Sequence, residues 1–154
     1  MFPFTNYHDA VFRQTNEFIQ EIEQAINGEY SAIECYTRLA NLASSKKERE
    51  QILEIREDEV RHYQQFVHLY QRLTGRPPKP KIVEECPNSY LKGLMFAIED
   101  EQKTVDFYME IADKATDPMI QGAFRRAAAD EQNHAVWFLY FFQKENHRGN
   151  APIG

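Results

Sequence analysis

"DEVRHYQQF" (residues 58–66) and "DEQNHAVWF" (130–138) each place a glutamate and a histidine three positions apart, on a helical stripe whose other members are apolar. Residues three apart share a helix face. Glu59 and His62 fall between Ile52, Ile55 and Phe66, Leu69, Leu73; Glu131 and His134 fall between Ile120, Phe124, Ala127 and Phe138, Phe141. A carboxylate and an imidazole therefore occupy core positions twice.

Two further stripes share the alternating steps of four and three. One runs Phe18, Ile22, Ala25, Glu29, Ala32, Tyr36, Leu39; the other runs Leu94, Ala97, Glu101, Thr104, Tyr108, Ile111. Four such stripes, with no sustained strand alternation, predict an all-α bundle of four helices over about 15–43, 46–74, 89–115 and 118–146. Ser45 with Glu48 forms a capping box, and Asp117 before Pro118 gives an N-cap followed by proline at the first helical position. Prolines exclude helix through 75–88. Helices of roughly 28 residues are about 42 Å long, and about a dozen extended residues span about 40 Å. The linker can thus run the length of the bundle, which predicts two hairpins joined by one long crossover.

The hairpins repeat each other at an offset of 72: "AINGEYSAIECYTRLA" (25–40) aligns with "AIEDEQKTVDFYMEIA" (97–112). Glu29 pairs with Glu101, Tyr36 with Tyr108, Glu59 with Glu131 and His62 with His134. This predicts pseudo-two-fold symmetry, with Glu29, Glu59, His62, Glu101, Glu131 and His134 meeting mid-bundle. Four buried carboxylates cannot all remain ionised without partners. Two divalent cations balance them, +4 against −4, and the oxygen and imidazole donors suit iron or manganese while admitting zinc. Asp58 and Asp130 precede the paired glutamates, and each is expected to take the second ring N–H of the histidine on the opposite hairpin.

These motifs resemble the ferritin-like di-iron carboxylate superfamily, closest in style to rubrerythrin-type domains and bacterioferritin. The resemblance covers roughly residues 15–146. It implies that Glu59 and Glu131 bridge two metals, iron foremost, and that Glu29 with His62 and Glu101 with His134 complete one metal each. It further implies reduction of O2 or H2O2, of ferroxidase or rubrerythrin peroxidase type. Metal storage without turnover and manganese catalase-like chemistry are the alternatives. Tyr36 and Tyr108 match tyrosines that lie near such centres. The sequence also departs from rubrerythrins. Thr104 stands where they carry an extra glutamate, and two cysteines cannot build their second, cysteine-ligated iron domain, so a peroxidase would need an external electron donor.

The bulk composition of the 154-residue chain fits one domain spanning 1–154. A formal charge of −6 argues against a nucleic-acid partner, and no apolar run approaches the roughly 20 residues of a membrane span. The N-terminus "MFPFTNYHD" lacks a basic region followed by an apolar stretch, so no secretory signal and a cytoplasmic location are expected. Cys35 and Cys86 form no CxxC pair and read as free thiols in a reducing compartment. "AVWFLYFF" (135–142) is apolar around most of its circumference. Either an N-terminal arm carrying Phe2 and Phe4 or a second subunit is expected to cover it, and a homodimer is favoured. The tail 148–154 is expected to be disordered.

Overall fold

The computed structural model describes residues 7–149, which form four helices: α1 (Tyr7–Leu42), α2 (Lys46–Thr74), α3 (Tyr90–Lys114) and α4 (Pro118–Gly149). The arm with Phe2 and Phe4, and residues 150–154, lie outside the described residues; Arg148 and Gly149, expected in a disordered tail, are the last residues of α4, where Arg148 pairs with Glu145 one turn back. α1 begins several residues before its expected start near 15. Its first turns are exposed wherever their side chains are described, so they carry no buried stripe by which a sequence pattern would mark them.

The helix ends follow from local chemistry. Ser45 accepts a hydrogen bond from the Glu48 amide at 3.2 Å and donates its hydroxyl to the Glu48 carboxylate at 2.6 Å. α2 stops at Gly75, whose φ of 72° is left-handed and whose N–H reaches the Gln71 carbonyl; glycine takes that conformation without steric cost. Ser89 caps α3, and Asp117 Oδ1 accepts from the Met119 amide at the start of α4.

α1 packs chiefly on α2, and α3 on α4; the hairpins then meet through α1 with α3 and α2 with α4. Tyr36 reaches Glu101 while Tyr108 reaches Glu29, so α1 and α3 run antiparallel. His62 reaches Asp130 while His134 reaches Asp58, so α2 and α4 do too. With α2 antiparallel to α1, helices α2 and α3 are parallel, and the 75–89 segment must return along the bundle between them. No described helix is long and apolar enough to cross a membrane.

The core is split. One apolar cluster gathers Ile22, Ile26, Phe66, Leu69, Tyr108, Ile111 and Phe124, and the other gathers Tyr36, Leu39, Ile52, Ile55, Leu94, Phe138 and Phe141. Phe66 stacks on Phe124 at 4.3 Å between ring centroids, with Tyr108 edge-on to both. Between the clusters lies the layer of glutamates and histidines.

One sequence expectation is overturned. Cys35 and Cys86 are joined in a disulfide, closing a separation of 51 residues. α1 presents Cys35 toward the crossover, which brings Cys86 back to it. Neither cysteine is a free thiol, and the compartment argument that rested on unpaired thiols loses its support.

Two glycines on the site-facing helices differ in sign. A Cβ at Gly93 would sit 2.2 Å from Leu39 Cδ2, in the packed contact between α3 and α1, whereas a Cβ at Gly28 meets nothing within 4 Å. Overpacking costs about 1–3 kcal/mol, against a helix-propensity gain of about 1 kcal/mol for Gly→Ala. Gly93→Ala is expected to lower the urea midpoint and Gly28→Ala to raise it slightly. Equal shifts in both variants would contradict this packing.

Candidate metal centre

Each helix delivers its polar side chains at mid-length: Glu29 from α1, Glu59 and His62 from α2, Glu101 from α3, Glu131 and His134 from α4. All six are at most 4% exposed. Glu29, Glu59, His62 and Glu131 each bring one donor atom within 4.8 Å of the others, and Glu59, Glu101, Glu131 and His134 do the same. Glu59 and Glu131 belong to both groups. The structure thus brings together all six residues singled out in the sequence, in two overlapping quartets with two shared carboxylates.

Both histidines point Nδ1 inward. His62 Nδ1 lies 3.3 Å from Glu131, 3.5 Å from Glu29 and 3.6 Å from Glu59. His134 Nδ1 lies 3.1 Å from Glu59, 3.3 Å from Glu131 and 3.7 Å from Glu101. Both point Nε2 outward, to Asp130 Oδ2 at 2.9 Å and Asp58 Oδ2 at 2.8 Å respectively. Each aspartate also meets an arginine, Asp58 with Arg61 and Asp130 with Arg126 at 3.1 Å. With Nε2–H donated to an aspartate, Nδ1 is the nitrogen left to give its lone pair to a metal once its own proton is displaced.

The tyrosines complete the cross-bracing. Tyr36 on α1 donates its hydroxyl to Glu101 on α3, and Tyr108 on α3 donates to Glu29 on α1. Burial, together with those carboxylates, pushes both phenols well above their ordinary range, so they remain donors. Each hairpin therefore orients the other's glutamate through a tyrosine and the other's histidine through an aspartate. The heptad spacing of Glu29 to Tyr36 and Glu101 to Tyr108 is the sequence signal for the first link.

The electrostatics match a site built for cations. Burial and the neighbouring carboxylates raise the carboxyls of Glu59 and Glu131 well above the usual range. Burial would also raise Glu101, but hydrogen bonds to Glu131, His134 and Tyr36 outweigh it and hold Glu101 below. Burial pulls His62 down, yet the surrounding carboxylates, Glu29 first, hold it up at about 9; His134 is raised for the same reason. Glu29 Oε2, Glu59 Oε1, Glu101 Oε2, Glu131 Oε1 and His62 Nδ1 are buried with no hydrogen-bond partner. Buried polar atoms are normally satisfied. Five orphaned donors converging on one layer fit a pair of metal ions.

A family model for rubrerythrin matches residues 92–152. A Bacillus subtilis (strain 168) protein known as uncharacterized protein YhjR is 50% identical over 133 residues, 86% of this chain and 92% of its own length. The chain belongs to the same family as that protein, and its residues 92–152 match the rubrerythrin family. Solved structures share this fold. A ferritin-like, diiron-carboxylate protein from Bacillus anthracis str. Ames superposes with a TM-score of 0.70 at 22% identity, covering 84% of this chain and 97% of that one. A hypothetical protein from Pyrococcus furiosus superposes with a TM-score of 0.70 at 18% identity, covering 82% and 88%.

Relative to the rubrerythrin pattern, Thr104 contributes no carboxylate. Its hydroxyl donates to the Asp100 carbonyl at 2.8 Å, and its short side chain lines a cavity of about 230 Å³ that reaches Glu29, Glu59, Glu101 and Glu131. Glu34, Glu99 and Asp106 are exposed, as a solvated face requires. Sequence reasoning missed two carboxyls. Glu48 is fully buried against Ser45 and Tyr90. Asp100 is held up at about 8, by burial first and then by Glu84 from the crossover. The capping motif hinted at Glu48, but nothing local marked Asp100.

Two predictions follow from this electrostatic arrangement. Above about pH 4.3, the ordinary glutamate value, the unfolded chain releases protons that folded, metal-free Glu59 and Glu131 retain. The stability they contribute is lost as pH rises through their raised values. His62 stabilises the metal-free fold below about 6.5, and that contribution is lost as pH rises through about 9. Metal binding displaces these protons, so the rise in Tm on adding Mn(II) should be small at pH 5 and grow toward pH 8. A pH-independent rise would contradict the assignment. Asp58→Asn and Asp130→Asn should each weaken Mn(II) affinity by about 10–100-fold while leaving the helical circular dichroism unchanged.

Proposed function

We propose that the six-residue centre holds two metal ions, iron by preference, and that the protein is an oxidoreductase that reduces H2O2 or O2 there. The observation that carries this reading is the set of orphaned, converging donors on Glu29, Glu59, Glu101, Glu131 and His62, with His134 beside them. Two ferrous ions, when bound, supply the two electrons that convert H2O2 and two protons to two waters. The chain's own groups do the rest. Glu59 and Glu131, common to both quartets, would be shared between the two ions. Glu29 with His62 and Glu101 with His134 would complete one ion each. Asp130 and Asp58 fix the imidazoles, and Tyr36 and Tyr108 hold Glu101 and Glu29 by hydrogen bonds that also keep the terminal carboxylates from rotating freely. The cavity of about 230 Å³ beside Gly28 and Thr104 has room for a small oxidant next to the glutamates. In the metal-free fold Glu59 and Glu131 hold protons that bound metal would displace.

Anaerobic loading with Fe(II), followed by H2O2 or O2 in separate stopped-flow runs, tests the reading. Protein-bound Fe(II) should oxidise faster than free Fe(II) at the same pH. Oxidation no faster than in buffer would reject the oxidoreductase. Stoichiometric metal retention without turnover would leave a metal-binding or storage protein. Glu131→Ala should abolish the acceleration and most binding, because it removes a donor from both quartets. Metal content of the native protein decides between iron and manganese.

The expected homodimer has support in α4, where Val136 is 59% exposed and Leu139 and Tyr140 are each 47% exposed, beside half-buried Trp137. Sedimentation at micromolar concentration should give twice the chain mass, and Leu139→Glu should shift it to the monomer; a wild-type monomer would refute the dimer.

A further inference from the structure

The crossover is not a loose return. It is fastened to α1 at residues spaced four, four and three apart: Asn27 Oδ1 accepts from the Lys81 amide at 3.0 Å, Ser31 Oγ accepts from the Val83 amide at 3.0 Å, Cys35 is bonded to Cys86, and Arg38 donates to Asn88 Oδ1. Asn27, Ser31 and Cys35 are buried, at 6%, 6% and 4% exposure. These anchors hold the strap along one face of α1, with Val83 and Glu84 against the cavity that reaches the four glutamates. Asp100 of α3 lines that cavity too, as does Glu84. The strap and α3 therefore border the same groove in which Glu29 and Glu101 lie.

A second cavity, of about 620 Å³, is lined by Cys35, Cys86, Arg38, Tyr30 and again Glu84. The disulfide thus lies between a cleft of its own and the strap residues bordering the glutamate cavity. Cys86 is half-buried while Cys35 is buried, so Cys86 sulfur is the one an external thiolate reaches.

We propose that the Cys35–Cys86 disulfide is a thiol-exchange site that latches the crossover over the glutamate cavity, and that a small neutral dithiol opens it. The reductant's thiolate attacks Cys86 sulfur, the sulfur–sulfur bond breaks, and Cys35 leaves as a thiolate that takes a proton. The reductant's second thiol, as thiolate, then closes on its first sulfur, and Cys86 leaves and takes a proton. The dithiol is oxidised by two electrons to its cyclic disulfide, and the protein gains two thiols. With the covalent anchor gone, residues 82–88 are held only by hydrogen bonds, and Glu84 can leave the groove it borders. Glu34, Glu84 and Glu85 line the cleft, so their charge disfavours anionic thiols and selects a neutral one. The regulated passage rests on the metal-pair reading; the latch itself does not.

The test uses the full chain, oxidised or reduced with dithiothreitol that is then removed anaerobically, with thiols counted by alkylation and mass. In metal-free protein, hydrogen exchange at the Lys81 and Val83 amides should speed about 30-fold or more on reduction, the low end of what loss of a disulfide closing a 51-residue separation gives. Mn(II)-loaded protein should release metal to a chelator faster by a similar factor. Cys35→Ser/Cys86→Ser should show the fast rates with or without dithiol, and Glu84→Ala should speed release with the disulfide intact. Reduced protein with two counted thiols but the oxidised exchange rate would overturn the latch, as would a disulfide that resists dithiothreitol in the folded protein. A chain that never retains Mn(II) would defeat the metal reading while leaving the exchange experiment decisive for the latch.

Discussion

Six ionisable side chains share one layer in the middle of a bundle whose interior above and below is chiefly apolar, and the rest of the structure answers to that constraint. Four carboxylates and two imidazoles at no more than 4% exposure cannot be solvated by water, so they must be balanced by one another, by protons or by metal. The apolar core is cut into two clusters by this layer. Each cluster clamps one end of the bundle and keeps the polar groups at fixed separation. The arrangement sacrifices continuous hydrophobic contact at mid-bundle and gains converging donors that no apolar packing could supply.

Symmetry makes the layer rigid. Glu29, His62, Glu101 and His134 are each oriented by the opposite hairpin: tyrosine to glutamate across α1 and α3, aspartate to histidine across α2 and α4. The hairpins therefore cannot separate without stripping partners from buried charges, which is costly. The same links leave Nδ1 of each histidine and one oxygen of most glutamates facing inward. Structural bracing and ligand presentation are carried by opposite ends of the same side chains.

Much of this was legible in the chain. The stripes place Glu29, Glu59, His62, Glu101, Glu131 and His134 at core positions because helical periodicity leaves them no other face, and the offset of 72 residues keeps all six in register. The prolines of the crossover and the length it must span implied that α2 and α3 are parallel. Asp58 and Asp130 were readable as histidine partners because they adjoin the paired glutamates on the same helices. The cysteines were not readable: Cys35 and Cys86 are 51 residues apart, in no recognisable spacing, and from the sequence alone they read as free thiols. Nor was the meeting of Asp100 and Glu84 at one cavity, since one sits on a helix and the other on a proline-bounded segment without periodicity.

The sequence by itself determined the helices, their buried faces, the duplication and the identity of the six donors, because each of these depends on spacing along a chain of known geometry. Only the tertiary structure decided which hairpin braces which donor, where the cavity opens, and that the crossover is tied down at Asn27, Ser31, Cys35 and Arg38. Those contacts join residues distant in sequence through a segment with no repeating pattern. Their geometry is set by how the strap lies on α1, which no local interaction along the strap specifies.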